Sequence, residues 1–372
     1  MYAAAMDQGD ALMALLEAGA NPYMKDSRNG LTMGDFAAAR GHWDLILHVL
    51  CYFDDANKKE VVEQYAKKAV VVFLVDYNDL VPRSVSLRQL LAKCGGVNFL
   101  FDNHNGQDNT LLFHTRTTSH VEALLENGFQ LINHRNSAGR TAWMALNEWD
   151  RPETMRKLLE AGADINVRDN LGRPALYYFL CHLASYRHAK SEIPELLSIY
   201  LTNGADSLSG DKCRCSCSPS GCYPTAPLIH RSTSLYIALV QSFHLAFEWL
   251  FILTELRGKV EAQHVLLSFV RAAKHKELGM THTCCSWESP HIANPAHLRK
   301  NRMSPEDIDR VLVKESDLTE ELEREMMKVS DWDYESLLDY WIHQINNDLG
   351  RVRNESKQMY RSSEEVSPQP IV

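Results

Sequence analysis

A period of 33 to 34 residues constrains the fold of this chain more than any other feature of its sequence. Leucine pairs recur 34 residues apart, at 90–91, 124–125 and 158–159, and a glycine follows each pair. Two glycines of a second series, Gly139 and Gly172, are 33 residues apart. A unit of this size cannot bury its own apolar face, so the period predicts units that stack on one another.

Each unit has the pattern of two short amphipathic helices and a turn. A glycine after the Leu-rich helix favours a left-handed helix end, and this feature recurs at Gly19, Gly128, Gly162 and Gly204. Thr32 and Thr141 precede apolar runs and are predicted to cap the helices that follow. We expect residues 87–206 to form three stacked helix pairs, with Leu91, Leu125 and Leu159 in equivalent buried positions.

This pattern resembles the ankyrin repeat over about residues 1–206. The clearest blocks are Leu-Leu-Glu-Ala-Gly-Ala-Asp-Ile-Asn at 158–166 and Phe-Ala-Ala-Ala-Arg-Gly-His at 36–42. The resemblance implies an all-α ankyrin-repeat solenoid that binds another protein through its concave face. The family's Thr-Pro-Leu-His signature is degraded, because the His position holds Asp35, Met144 and Tyr177. We therefore expect hydrogen bonds to be lost at several helix starts.

Composition and periodicity divide the chain into six segments. They are N-terminal repeats at 1–50 (the first one partial), a distorted repeat or helical insertion at 51–86, repeats at 87–206, a helical cap with a Cys/His-rich loop at 207–300, acidic helices at 301–348 and a disordered tail at 349–372. Residues 235–278 have helical patterns and are expected to cover the open end of the stack, with Trp249 as a packing residue. Ser304 followed by Pro305 predicts another helix start.

Six of the nine cysteines lie in two short segments of the predicted cap. The first segment, 213–222, reads Cys-Arg-Cys-Ser-Cys-Ser-Pro-Ser-Gly-Cys, and the second, 281–285, reads Thr-His-Thr-Cys-Cys. Cys-x-Cys spacing lets two thiolates reach one ion at about 2.3 Å, and a neutral imidazole also binds zinc. The sequence therefore predicts that both segments meet at a structural zinc site, with candidate ligands Cys213, Cys215, Cys217, Cys222, His282, Cys284 and Cys285. These exceed the four ligands of one tetrahedral ion, so either some are idle or two ions bind.

The two cysteine segments also resemble the C-terminal region of ankyrin-repeat proteins of filamentous fungi. In that group a Cys-x-Cys-x-Cys-Ser-x-x-Gly-Cys stretch precedes a Leu-Gly-x-Thr-His-Thr-Cys-Cys stretch, and both occur here, at 213–222 and 278–285. This second resemblance implies an architecture and no activity.

Two other interpretations of the cysteine cluster stay open. The thiols could act as a redox sensor without a metal, or an open coordination position could serve a metal-dependent enzyme. The chain contains no P-loop, no Gly-x-Gly-x-x-Gly after a strand, no His-Glu-x-x-His and no Gly-x-Ser-x-Gly motif. These absences favour a chain without catalytic activity.

The charge balance of the chain narrows the classes of partner. Lys and Arg number 39 against 48 Asp and Glu, a net charge of −9, which argues against general binding of nucleic acid. No run reaches the roughly 20 apolar residues of a membrane span, and the N-terminus does not resemble a signal peptide. We therefore expect an intracellular protein, cytoplasmic or nuclear, whose partner is another protein.

Charged residues recur at the predicted loop tips of the repeats. Arg28, Arg135 and Arg168 occupy these tips, with Asp169 beside the last of them. A recurring arginine on one rim suits an acidic strip on a partner. The sequence thus predicts these four residues as partner contacts.

Overall fold

A computed structural model describes residues 1–28, 30–55, 59–75, 87–102, 108–115, 117–145, 152–185, 192–229, 236–283 and 303–364. The described residues are mostly helical and contain almost no strand, which confirms the all-α expectation for them. The chain divides into two compact units, Met1–Ser137 with Glu148–Ala163, and Ala138–Asn147 with Asp164–Val372. No helix among the described residues has the length and apolarity that a bilayer span requires.

The first unit contains eight helices, a 3₁₀ turn and a short hairpin among its described residues. Its helices are α1 (Tyr2–Ala5), α2 (Gly9–Glu17), α3 (Met33–Ala39), α4 (Trp43–Asp55), α5 (Lys59–Val75), α6 (Leu87–Leu91), α7 (Thr118–Glu126) and α9 (Pro152–Glu160), with the 3₁₀ turn at Leu111–His114. The antiparallel strands β1 (Phe101–Asp102) and β2 (Asp108–Asn109) pair Phe101 with Asn109. The sequence did not indicate this hairpin.

The second unit also contains eight helices among its described residues. They are α8 (Ala142–Ala145), α10 (Ala175–Ser185), α11 (Ile193–Thr202), α12 (Tyr236–Arg257), α13 (Lys259–Glu277), α14 (Pro305–Lys314), α15 (Ser316–Val329) and α16 (Tyr334–Glu364), with a 3₁₀ turn at Ala226–Leu228. Helix α10 packs on α8 and α12, α12 packs on α11 and α13, and α13 packs on α15 and α16.

The buried leucines of the repeats are the first members of the leucine pairs. Leu90, Leu124 and Leu158 are 0%, 0% and 1% exposed. Leu91 is buried as predicted, but Leu125 and Leu159 are only half-buried, so the prediction of equivalent burial was wrong for these two. In α7 and α9 the buried leucine lies three residues after another buried side chain, Val121 or Met155, and this spacing defines the packed helix face.

A side-chain ladder of asparagines links successive repeats in the first unit. The Asn98 amide donates to the carbonyl of Gly128 at 2.9 Å and accepts from the Gln130 N–H at 2.7 Å. The Asn133 amide donates to the carbonyl of Gly162 at 2.8 Å. Each amide thus satisfies a carbonyl at the end of the following Leu-rich helix, where the backbone has no helical partner.

The second unit repeats the same arrangement. The Asn166 amide donates to the Gly204 carbonyl and accepts from the Asp206 N–H, each at 2.9 Å. The expected left-handed helix ends are confirmed by φ values of 87°, 81°, 88° and 82° at Gly19, Gly128, Gly162 and Gly204. At Gly128, Gly162 and Gly204 the recurring asparagine and glycine therefore have one physical role, which is the closure of a loop on the end of the next helix.

The degraded family signature does not remove every helix-start hydrogen bond. The Thr32 N–H and hydroxyl both donate to the Asp35 carboxylate, at 2.7 and 2.8 Å, and form a capping box at α3. Lys68 adds an ion pair to the same carboxylate at 2.6 Å. Asp35 therefore supplies bonds that we expected to be lost. The predicted cap by Thr141 was wrong, because its buried hydroxyl has no partner among the described residues.

The core of α12, α13 and α16 forms around Trp341, which is 1% exposed. The rings of Phe247 and Phe269 lie 5.0 and 5.2 Å from the Trp341 ring. Trp249 is fully buried, which confirms its predicted packing role. Helices α12 and α13 also agree with the helices predicted over 235–278.

The C-terminal helices agree with the sequence at their start and differ at their end. The hydroxyl of Ser304 accepts from the Asp307 N–H at 3.1 Å, which confirms the predicted start of α14. Helix α16 continues to Glu364, whereas the sequence predicts disorder from 349. Residues 365–372 of that predicted tail lie outside the described residues.

Candidate metal centre

The cysteine-rich loop is an enlarged repeat loop. In the preceding repeat, the Asp169 N–H donates to the Arg173 carbonyl at 3.0 Å, and the Arg173 N–H donates to Asp169 Oδ1 at 2.8 Å. Asp211 and Cys222 form the same two bonds, at 3.0 and 2.9 Å. Three residues separate the first pair and ten separate the second. The cysteines therefore lie in an extended tip that replaces a short turn.

Asp211 organises the base of this loop. Its Oδ1 accepts from the N–H groups of Cys213 and Cys222, each at 2.9 Å, and its Oδ2 accepts from Arg173 Nε at 3.1 Å. The Arg173 and Asp211 side chains are only 5% and 4% exposed. Burial raises the pKa of Asp211, the nearby Cys222 raises it further, and Arg173 opposes both effects.

The thiols of the loop form a compact buried cluster. Cys215, Cys217 and Cys222 are 4%, 2% and 2% exposed, and the half-buried Cys213 packs against them. Gly221 allows the loop to close, because its φ is +87° and a Cβ there would lie 2.0 Å from the Asp211 carbonyl oxygen. The cluster therefore depends on a close approach of backbone that only glycine permits.

The end of helix α13 and the segment that follows it bring two histidines to the loop. His275 lies in its last turn and is fully buried, and the Met280 N–H donates to the His275 carbonyl at 3.2 Å as the chain reverses. The next residues are held by Glu315, which accepts from the Thr281 hydroxyl at 2.6 Å, and by the Arg214 carbonyl, which accepts from the Thr283 hydroxyl at 2.5 Å. This path places the ring of His282 4.4 Å from the ring of His275.

One loop cysteine and both histidines form a set of possible metal ligands. The donor atoms of Cys215, His275 and His282 all lie within 4.8 Å of one another. Cys215 Sγ is 3.9 Å from His275 Nε2. His275 Nδ1 is buried and has no hydrogen-bond partner among the described residues. A thiolate and two imidazoles are a donor set that suits zinc, so these residues fit the predicted ion.

A second set of possible metal ligands lies at the base of the loop. One donor atom each of Asp211, Cys213 and Cys222 lies within 4.8 Å of the others. The two sets share no residue.

The structure brings His282 together with one cysteine of the first segment, Cys215, whereas Cys213 and Cys222 converge with Asp211, and Cys217 belongs to neither set. Cys284 and Cys285 lie outside the described residues. The sequence analysis missed His275, which lies seven residues before His282. The helical period could have indicated His275. It falls four residues after Arg271, on the buried face of the helix that also contains Ala272 and Phe269.

The four predicted partner contacts differ in exposure. Arg28 and Arg135 are exposed. Arg168 instead donates to the carbonyls of Gly172 and Gly210 at 2.9 and 3.0 Å. Asp169 is 4% exposed and accepts from the Tyr178 hydroxyl at 2.5 Å. Arg168 and Asp169 therefore hold repeat loops together, which differs from their predicted role on a partner-binding rim.

Comparison with known proteins supports the assignment of one repeat. The family model described as Ankyrin repeat matches residues 138–170, which supports an ankyrin-repeat protein. No curated protein matches the chain. Among solved structures, the chain is similar to a chain of the structure described as the Bd0816 predatory endopeptidase from Bdellovibrio bacteriovorus in complex with immunity protein Bd3460. That similarity has 20% identity and a TM-score of 0.35, and it covers 48% of this chain and 88% of the other.

Proposed function

We propose that this chain is a protein-interaction scaffold whose ankyrin repeats form a solenoid, and whose C-terminal unit carries a structural zinc site. The matched repeat at 138–170 and the recurrent asparagine-to-glycine bonds support the repeat architecture. The ankyrin scaffold is used for protein binding, and we assign the partner contacts to its concave face, with Arg28 and Arg135 on the rim. No catalytic step is part of this proposal.

The observation that carries the metal proposal is the meeting of Cys215, His275 and His282. They come from a loop, a helix end and the segment after that helix, so one ion ties together three pieces of the second unit. The loop is rich in Gly, Ser and Pro and has little apolar surface to define its shape. Thiolate and imidazole bonds to zinc supply the missing ordering energy.

A structural zinc ion takes four protein ligands. Cys217 belongs to the same buried cluster as Cys215 and is a candidate for the fourth position. Cys284 and Cys285 remain sequence candidates for the same position. A closed set of four ligands leaves no position for water, which is why we assign a structural rather than a catalytic role.

Metal analysis of the purified full chain tests this assignment. We expect bound zinc, and we expect His275→Ala to lose one equivalent of it relative to the parent. His264→Ala is the matched control, because His264 lies on the same helix and is exposed. Zinc that is absent from the parent, or that stays unchanged in His275→Ala, would contradict the site.

The interaction surface needs a separate test. Charge reversal at both rim positions, Arg28→Glu with Arg135→Glu, should remove a protein that co-purifies with the parent and cross-links to its repeats. Arg310→Glu is the control, since Arg310 is 77% exposed and lies on α14. Unchanged cross-linking by the double variant would argue against the rim assignment.

A further inference from the structure

The donor atoms in and around the cysteine-rich loop exceed what one ion can use. A tetrahedral zinc ion takes four ligands. The two sets of converging donors contain Asp211, Cys213 and Cys222 in one case, and Cys215, His275 and His282 in the other. Cys213 and Cys215 are separated by one residue, yet the structure assigns their sulfur atoms to different sets. This division points to two separate centres rather than one centre with idle ligands.

We infer that the loop binds a second zinc ion through Asp211, Cys213 and Cys222. This inference deepens the proposed function, because the first ion at Cys215, His275 and His282 is part of that proposal. Thiolates and a carboxylate are both ligands of zinc, and the donor atoms already lie within 4.8 Å of one another. Small side-chain rotations shorten such separations to the roughly 3.5 to 4 Å edge of a tetrahedral site.

The backbone of the loop is built to bring these two thiols together. Asp211 Oδ1 accepts the N–H groups of both Cys213 and Cys222 at 2.9 Å, so one oxygen atom sets the position of both cysteines. Oδ2 accepts one bond from Arg173 Nε. A carboxylate has about four lone-pair directions, and these three bonds leave one on Oδ2 for a metal ion.

The charges of the second site balance when an ion is bound. Arg173 already compensates Asp211 in a buried ion pair. Two thiolates, from Cys213 and Cys222, compensate the two positive charges of zinc. Cys222 and Asp211 are nearly completely buried, where an uncompensated charge is costly. The site therefore accepts a divalent cation without leaving a net buried charge.

The ratio of zinc to protein in the full chain tests this inference separately from the first ion. Native mass spectrometry of zinc-loaded protein should show two ions in the parent, one in Cys222→Ser, one in His275→Ala and none when the two changes are combined. Cys51→Ser is the matched control and should keep both ions, because Cys51 lies on α4 in the first unit. Cys213→Ser, at a half-buried position, repeats the test if Cys222→Ser does not fold.

Cobalt substitution gives an independent readout. Because the second site contributes two thiolates, Cys222→Ser should lower the thiolate-to-cobalt absorption by about half or more. Each other outcome overturns the inference. A ratio of one zinc per protein in the parent overturns the second site, whether or not Cys222→Ser changes that ratio. The first ion still stands in this case if His275→Ala removes the single zinc. A ratio of two that Cys222→Ser does not change places the second ion elsewhere. A ratio of zero overturns both ions.

Discussion

At the scale of single residues, the packing of the repeats depends on which leucine of each pair is buried. Leu158 is 1% exposed and Leu159 is half-buried. Leu158→Ala should lower the free energy of unfolding by about 2 to 5 kcal/mol, since it removes contacts and leaves a cavity. Leu159→Ala is the matched control with a clearly smaller effect. Urea unfolding, monitored by hydrogen exchange in α9, measures the stability of both variants. Equal losses of stability would contradict the assignment of Leu158 as the buried leucine.

The sequence predicted the leucine period but placed its buried member one residue too late at two of three positions. Adjacent leucines of a pair are equally apolar, so the period alone cannot distinguish them. The packed face becomes visible only with Val121 and Met155, which lie three residues before Leu124 and Leu158. Such a shift moves the buried face around the helix by about 100°.

The residues of the candidate site show the same limit. Paired thiols at Cys-x-Cys spacing predicted a metal site, and His282 was included among its candidate ligands because it adjoins the second cysteine segment. His275 and Asp211 were missed because each is a single residue in an ordinary context, a helix end in one case and a loop start in the other. Asp211 becomes recognisable only by comparison with Asp169, because both residues form the same pair of loop-closing hydrogen bonds.

At the scale of elements, α14 and α15 are attached to the loop and to α13 by polar contacts. Arg214 pairs with Asp309 on α14 at 2.7 Å. Ser216 and Thr319 on α15 share a hydrogen bond of 3.0 Å. Arg271 on α13 donates to the Ser216 carbonyl and forms a two-pronged ion pair with Glu323 on α15. The order of the loop is thus coupled to the docking of the acidic helices.

The Arg271–Glu323 pair predicts a pH dependence. The hydrogen bond from Arg271 lowers the pKa of Glu323. A carboxylate with a lowered folded pKa stabilises the fold above its ordinary pKa, and this contribution is lost as the pH falls through the folded value. Glu323→Gln should therefore cost about 0.5 kcal/mol near neutral pH, since the carboxylate is half-exposed and screened by solvent.

Thermal unfolding of parent and Glu323→Gln at a series of pH values checks this dependence. The difference between the two proteins should shrink below pH ~4. Any metal that acid releases is lost from both proteins alike, so the difference isolates the carboxylate. A difference that is constant with pH would show that the variant acts through packing instead.

The element boundaries were predicted best where a local signal marks them. Ser304 and Pro305 defined the start of α14 through capping chemistry that a sequence displays directly. The end of α16 was missed, because a polar helix and a polar disordered segment have similar composition. The short hairpin of β1 and β2 was missed because two-residue strands carry no periodic pattern.

At the scale of the whole molecule, the two compact units predict different responses to metal removal. The proposed zinc ligands from the loop, α13 and the following segment all belong to the second unit. A strong chelator should raise hydrogen exchange in 211–222, in the last turn of α13, and in α14 and α15. Helices α4 and α5 belong to the first unit and serve as the internal reference.

Readdition of zinc should restore the original exchange rates in the second unit. Hydrogen exchange in the second unit that is the same before and after chelation would show that a metal does not stabilise this unit. A rise in exchange that is equal in both units would show general unfolding rather than release of the loop.

The enlarged loop tip has a consequence for how such a chain can be altered. Its two ends, Asp211 and Cys222, are joined by the same two hydrogen bonds as the ends of the short tip at Asp169 and Arg173, one between backbones and one from a backbone N–H to the Asp Oδ1. The same closing bonds therefore hold loops of three and of ten residues, so the length of the segment between the two ends can change without changing the bonds that close it. Replacing 212–221 by Asn-Leu-Gly, the short tip at 170–172, should remove the proposed metal binding while the flanking repeat helices keep their spacing.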